Sequence, residues 1–299
     1  MQVIAEPVST FSWKTELSLI RWPNLVIILC LQIIGYFVFV KPVSPGDTFE
    51  GYLFLTLLIL MTMSAAIAGY YINDLWDRDA DRLNGRKNVL NTGEHSPKFV
   101  RRNYILFIVF GACCTIFLIN WSMHFLWIYA GVTLLLWAYS RYLKRLPLIG
   151  NLAVSSFCAG VIVILWFPVR PFSTMPEDLC WLIIFAFLIT LIREIVKDME
   201  DMYGDGQVGD RTLPLVLGIP GTKAVVAILL ILSIVGLFHP DIRVSWTETV
   251  AFTFWVGTIA ILLGGFIYFI VNAKDRAGFH ITSLLLKSAM LSGTLCIVL

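Results

Sequence analysis

Apolar residues in this chain fall into long, nearly unbroken runs, without the alternation or single-faced periodicity of a water-soluble domain. About 20 helical residues are needed to cross a hydrocarbon core. Runs near that length lie at Leu25 to Val40, Tyr52 to Ile72, Tyr104 to Ile119, His124 to Tyr139 and Asn151 to Phe167. Four more follow at Leu179 to Ile195, Thr222 to Phe238, Thr247 to Val271 and Ile281 to Leu299. A very short turn at Asn120 and Trp121 joins the third and fourth. The pattern predicts an all-α, polytopic membrane protein of about nine transmembrane helices, arranged as a single integral membrane domain over residues 1–299.

Composition narrows the class. With 58% hydrophobic and 14% charged residues, 299 residues in all, the chain has too little polar surface for a water-facing exterior. Mean hydropathy is +0.82. A net charge of +2 without a basic run excludes a nucleic-acid groove. The six cysteines lie within or at the ends of apolar runs, with no CxxC pair, and read as packing residues. Glu6, Pro7 and other polar residues before the first run do not form the pattern of a cleaved signal peptide.

Charge asymmetry then orients the spans. The N-terminal segment and the even-numbered connections carry nearly all the Lys and Arg, whereas the opposite side has Lys41, Arg170 and Arg243, with Lys287 inside the last span. The positive-inside rule predicts a multi-pass protein of the cell membrane whose N-terminus and long charged loops are cytoplasmic, and it favours an odd number of spans.

Acidic residues turn this topology into chemistry. The second span leads into Asn73-Asp74-Leu75-Trp76-Asp77-Arg78-Asp79-Ala80-Asp81, and the sixth into Lys197-Asp198-Met199-Glu200-Asp201-Met202-Tyr203-Gly204-Asp205. Asp74, Asp77 and Asp81 recur at an offset of 124 residues as Asp198, Asp201 and Asp205. That offset predicts two four-helix pseudo-repeats plus a last helix. Positions i, i+3 and i+7 share one helical face, so each motif presents three mutually repelling carboxylates. Hard oxygen donors in that number suit Mg²⁺ or Ca²⁺ better than zinc, and Mg²⁺ commonly bridges carboxylates to substrate phosphates. One such motif could equally be the solvated end of a helix; two of identical spacing point to a diphosphate clamp. Asp79 and Glu200 lie off the stripes and are expected to be solvated or paired with neighbouring Arg.

Cations beside the motifs would stabilise a departing diphosphate. Lys144 and Lys197 adjoin polar motifs and are the leading candidates, with Arg86, Arg145 and Arg193 behind them. Asn73 and Asn24 supply amides near the cytoplasmic ends of spans, and Tyr139 an aromatic wall near the motifs, with Tyr70, Tyr71 and Trp76. His95, His124, His239 and His280 have no acid at a catalytic spacing and receive no role.

The run Asn73-Asp74-x-x-Asp77-x-x-x-Asp81, with Asp201-x-x-x-Asp205, resembles the paired aspartate signatures of the UbiA superfamily of intramembrane prenyltransferases. The stretch from Arg193 to Gly218 and the run Lys144-Arg145-Leu146-Pro147-Leu148-Ile149-Gly150-Asn151 are most similar to the branch that makes digeranylgeranylglyceryl phosphate. The chain departs from that branch after Asp81, where Arg82-Leu83-Asn84-Gly85-Arg86-Lys87-Asn88 replaces a basic-proline pattern. The resemblance implies nine membrane helices and Asp74, Asp77, Asp81, Asp201 and Asp205 as ligands of Mg²⁺ and diphosphate, with Asp198 adjacent. It also implies an isoprenoid diphosphate donor, with its tail toward membrane lipid, and a lipophilic acceptor, geranylgeranylglyceryl phosphate. An aromatic acceptor of the quinone type and a tetrapyrrole acceptor remain open from the residues alone. A cation-coupled transporter is the rival from another class, but its carboxylates would lie near the bilayer midplane, not at the cytoplasmic helix ends.

Overall fold

A computed structural model of the chain describes residues 13–43, 48–85, 89–168, 170–238 and 249–298. Among these every regular element is helical. The long helices are α2 (Trp22–Gly35), α3 (Thr48–Trp76), α5 (Pro97–Leu118), α6 (His124–Arg141), α7 (Ile149–Val163), α8 (Glu177–Gln207), α9 (Leu213–Gly236), α10 (Thr249–Val271) and α11 (Arg276–Val298). Short helices α1 (Trp13–Leu19) and α4 (Arg78–Leu83) lie between or before them. Six described helices are long and apolar enough to cross a membrane: Trp22–Val40, Phe49–Trp76, Pro97–Leu118, Glu177–Gln207, Leu213–Gly236 and Phe252–Val271. Segment Ile149–Val163 is apolar but shorter.

The chain gathers into two compact units. The first comprises the described parts of Met1–Leu29 and Thr56–Tyr142. Its core joins Leu19 and Leu25 to Ile67 and Tyr71 of α3 and to Val89, Leu90 and Val100. Tyr71 stacks on Phe107 of α5 at a centroid distance of 5.9 Å. α5 begins where Ser96 accepts a hydrogen bond from the Phe99 N–H (3.2 Å), with Pro97 just inside the helix where its missing N–H costs nothing. Tyr129 of α6 donates to the Ile108 carbonyl at 2.8 Å, through a gap that Gly111 leaves by having no Cβ.

The second unit comprises the described parts of Cys30–Leu55 and Leu143–Leu299. Its core is built on α8, whose Ile189, Ile192, Ile195 and Val196 are fully buried among Val226, Leu230, Leu262, Phe269, Phe279 and Leu286 of the following helices. Gly293 lets α11 approach α8, because a Cβ there would meet the Phe185 ring. The unit boundary at Tyr142 and Leu143 falls between the fourth and fifth apolar runs, as the repeat requires, but Cys30–Leu55 joins the second unit, so packing does not follow the repeat.

Helix ends differ from the apolar runs for identifiable reasons. α8 continues twelve residues past Ile195 through the whole second motif, and α11 starts at Arg276, five residues before Ile281. In both places polar residues are helical, which hydropathy does not register. α9 begins at Leu213 and kinks at Gly218 (φ 69°, ψ 171°) ahead of Pro220, so the apolar run from Thr222 is only its second part. α7 stops at Val163, and Trp166 donates its indole N–H to the Pro171 carbonyl at 3.3 Å.

Candidate active site

In the first unit α3 carries Asn73 and Asp74 in its last turn. The helix does not run unbroken through the motif as expected: Asp77 (φ −89°, ψ −2°) separates α3 from α4, which carries Asp81. The change is small, since the Asp77 N–H still donates to the Asn73 carbonyl and the Asp81 N–H to the Asp77 carbonyl, both at 2.8 Å. The three carboxylates therefore keep nearly helical spacing. Asn73 donates through Nδ2 to Asp77 Oδ2. Its Oδ1 is buried and has no hydrogen-bond partner among the described residues. A buried carbonyl oxygen next to carboxylates is a ready ligand for a hard cation or its bound water.

Asp74 is 9% exposed and is paired with a cation that the sequence marked only for topology. Arg21 Nη2 lies 3.2 Å from Asp74 Oδ1. The Arg21 guanidinium also sits 4.9 Å from the centre of the Tyr70 ring. Arg21 occupies a left-handed backbone conformation (φ 49°) in the tight turn between α1 and α2, and the Asn24 N–H donates to its carbonyl at 2.8 Å. Such a conformation is unfavourable for an arginine and persists because the turn and the ion pair fix it. Desolvation opposes the Arg21 charge, but Asp74, Tyr70, Asp77 and Tyr139 outweigh it and raise the guanidinium pKa above its ordinary value. Tyr139 is among the groups that act on the Arg21 charge. Asn24 contributes through its backbone; no bond from its side chain to the motif is present among the described residues. Arg141, two residues beyond Tyr139, stacks over Trp76 with 4.0 Å from guanidinium carbon to ring centre.

In the second unit Asp198, Asp201 and Asp205 all lie on α8. Asp198 Oδ2 accepts from Asn151 Nδ2 of α7 at 2.8 Å. Asn151 lies in the first turn of α7, at the end of the run from Lys144 that carries the family resemblance. Lys197 is 3.9 Å from Glu194 Oε2, and Asp201 is 7% exposed. Beyond α8 the Asp210 N–H donates to the Asp205 carbonyl (2.9 Å), the Arg211 N–H donates to the Arg145 carbonyl (3.0 Å), and Arg145 Nε stands 3.5 Å from Asp210 Oδ1. These bonds tie the helical turn Leu143–Arg145, which carries Lys144, to the end of the second motif. Arg86 lies outside the described residues.

Two histidines left without a role pair with acids distant in sequence. His280 Nδ1 is 3.4 Å from Glu200 Oε2, so a histidine of α11 is a partner of Glu200. His95 Nε2 likewise meets Glu16 Oε1 at 2.7 Å, an acid 79 positions away in sequence. Both pairs are tertiary and leave no trace in local spacing. Among the described residues no three His, Cys, Asp or Glu side chains enclose a metal site by themselves. Mg²⁺ usually takes only one or two carboxylates, completing its shell with water and substrate phosphates.

Gly150 sets the geometry between Lys144 and Asn151. A Cβ at this position would come 2.7 Å from the Lys144 Cα, a backbone atom that cannot rotate away. Gly150→Ala is therefore expected to cost about 1–3 kcal/mol of stability and to lower turnover, because the shift moves both polar residues; thermal unfolding and steady-state rates of the variant check this.

Comparison with known proteins gives concordant matches. The UbiA prenyltransferase family model matches residues 32–290. A digeranylgeranylglyceryl phosphate synthase of Korarchaeum cryptofilum is 30% identical over 258 residues, covering 86% of this chain and 88% of that one. The synthase of the same name from Thermococcus gammatolerans is 29% identical over 248 residues, covering 83% and 86%. A UbiA homolog from Archaeoglobus fulgidus, solved bound to DMAPP and Mg²⁺, superposes with a TM-score of 0.63 at 17% identity, covering 95% of this chain and 99% of that one.

Proposed function

Because this chain belongs to the UbiA prenyltransferase family, we propose that it transfers a prenyl group from an isoprenoid diphosphate to geranylgeranylglyceryl phosphate within the membrane, with Mg²⁺ as cofactor. The observation that carries this reading is the pair of aspartate motifs, matched position by position at an offset of 124 residues. The relatives named for the same synthesis support the acceptor.

Asp74, Asp77 and Asp81 from the first motif and Asp201 and Asp205 from the second are the residues that would hold Mg²⁺ and the diphosphate, with Asp198 adjacent and fixed by Asn151. Asn73 Oδ1 adds a neutral oxygen donor. Bound Mg²⁺ would supply Lewis-acid stabilisation of the charge that grows on the diphosphate as its allylic C–O bond breaks. Lys144, Lys197 and Arg86 add positive charge on the leaving group. Tyr139 contributes an aromatic wall facing the developing positive carbon, and the apolar helices keep water from it. Asn24 serves the site by shaping the Arg21 turn.

The whole of residues 1–299 acts as one catalytic domain in this reading, in the cell membrane, with its N-terminus and both motifs cytoplasmic. The one-sided distribution of Lys and Arg supports that orientation. The test is a transfer assay on protein in lipid with Mg²⁺ and labelled geranylgeranyl diphosphate, offering geranylgeranylglyceryl phosphate and an aromatic acid in parallel, with EDTA controls. Metal-dependent product from the first acceptor supports the reading; product from the aromatic acid alone would reassign the chain to quinone-type chemistry.

A further inference from the structure

Helices α8 and α11 pack antiparallel, and two contacts set their register: His280 with Glu200 at 3.4 Å, and Thr190 Oγ1 with Met290 Sδ at 3.9 Å. Seven residues back from Glu200 is Arg193, and seven residues on from His280 is Lys287. The register of the two helices therefore places these two cations at the same level of the pair. Lys197 lies one turn from Arg193 on the same face of α8. The carboxylate among them is Glu194, which takes Arg193 Nη1 at 2.6 Å and Lys197 Nζ at 3.9 Å. Glu194 thus meets Arg193 and Lys197, and Lys287 has no ion pair among the described residues.

Facing cations on packed apolar helices repel one another and are costly without a counter-anion. Their location separates them from the aspartate stripe. Arg193 precedes Asp198 by five residues, which is about 7.5 Å along the helix and about 140° around it. Glu194, by contrast, extends the stripe of Asp198, Asp201 and Asp205 by one turn. α8 therefore presents an acidic face and, beside it and deeper in the helix pair, a basic one.

We propose that Arg193 and Lys287 form a second anionic subsite that takes the phosphomonoester headgroup of a lipid, and that this lipid is the acceptor; the latter rests on the function proposed above. A phosphomonoester carries close to two negative charges at neutral pH, so it would supply the counter-anion that Lys287 lacks and share the Arg193 guanidinium with Glu194. The guanidinium fork binds two phosphate oxygens in a plane, and the Lys287 ammonium adds a point charge from the other helix. The carboxylates of the aspartate stripe repel the same headgroup, so the α8 surface itself sorts an acceptor phosphate from a metal-bound diphosphate.

The test compares wild type with Lys287→Met, Lys287→Arg and Arg193→Gln in nanodiscs of zwitterionic lipid. Lys287→Met and Arg193→Gln are expected to raise KM for geranylgeranylglyceryl phosphate at least tenfold and to leave KM for the donor within twofold. Lys287→Arg is expected to retain most of the wild-type affinity, which separates charge from packing. Direct binding of labelled geranylgeranylglyceryl phosphate without donor forms the second arm, with geranylgeranylglycerol, inorganic phosphate and phosphatidic acid as competitors. Loss of this binding in Lys287→Met sustains the subsite even where wild type fails to prenylate the probe, an outcome that instead overturns the proposed acceptor. Competition by phosphatidic acid would assign the subsite to phosphomonoester lipids of the membrane at large; competition by inorganic phosphate but not by the lipid would overturn a lipid subsite. Unchanged binding in both neutral variants, no binding to wild type, or a parallel rise in donor KM also overturns the proposal.

Discussion

Asp77→Asn and Asp201→Asn are each expected to lower kcat by about 10³-fold, the scale on which loss of one electrostatic contact to a developing charge is felt. Asn preserves the volume of each side chain, so helix packing is unchanged and the variants should be made and inserted at wild-type levels. Asp201 sits 7% exposed on an unbroken stretch of α8, and Asp77 accepts from Asn73, so each carboxylate is held in place before any ligand arrives. The neutral amide keeps that placement and removes the charge that binds a cation. Matching size-exclusion profiles with rates measured at saturating and at raised Mg²⁺ provide the check. Wild-type turnover in either variant would remove its aspartate from the site.

Arg21→Ala ranks second in expected effect. It leaves Asp74, 9% exposed, without its guanidinium partner and relaxes the left-handed turn that holds Asn24. Breaking a buried ion pair from one side costs roughly 3–5 kcal/mol; the guanidinium is 38% exposed, which brings the expected loss to about 3 kcal/mol once solvent screening is allowed for. The pair should behave as a unit. In a double-mutant cycle with Asp74→Ala, thermal unfolding should give a coupling of about 1–3 kcal/mol between the two sites. Additive effects would mean that the 3.2 Å contact contributes little and that Arg21 acts only through its turn.

What the sequence disclosed follows from which interactions are local. Asp74, Asp77 and Asp81, and their counterparts Asp198, Asp201 and Asp205, are legible because helical spacing converts sequence offsets directly into a shared face. The apolar runs located the long helices because run length and hydropathy are read from consecutive residues. Lys144 stood out as a basic residue beside a polar motif and as the start of a run that resembles the family; the contacts of Arg145 with Arg211 and Asp210 give it a place beside the second motif. Arg21, Asn151 and the His280–Glu200 pair were hidden because each partner comes from another helix, 53, 47 and 80 residues away. Helix ends were misplaced where polar residues continue an apolar helix, as from Val196 to Gln207, and where Gly218 bends α9 without ending it.

Equilibrium binding of a non-ionising thiolo analogue of geranylgeranyl diphosphate to the full chain in nanodiscs, with and without Mg²⁺, tests the central claim most directly. Paired aspartate motifs that hold a metal-bound diphosphate predict saturable binding that requires Mg²⁺, disappears with EDTA and is lost in both Asp77→Asn and Asp201→Asn. Binding of equal strength without metal, or undiminished in the two variants, would contradict it.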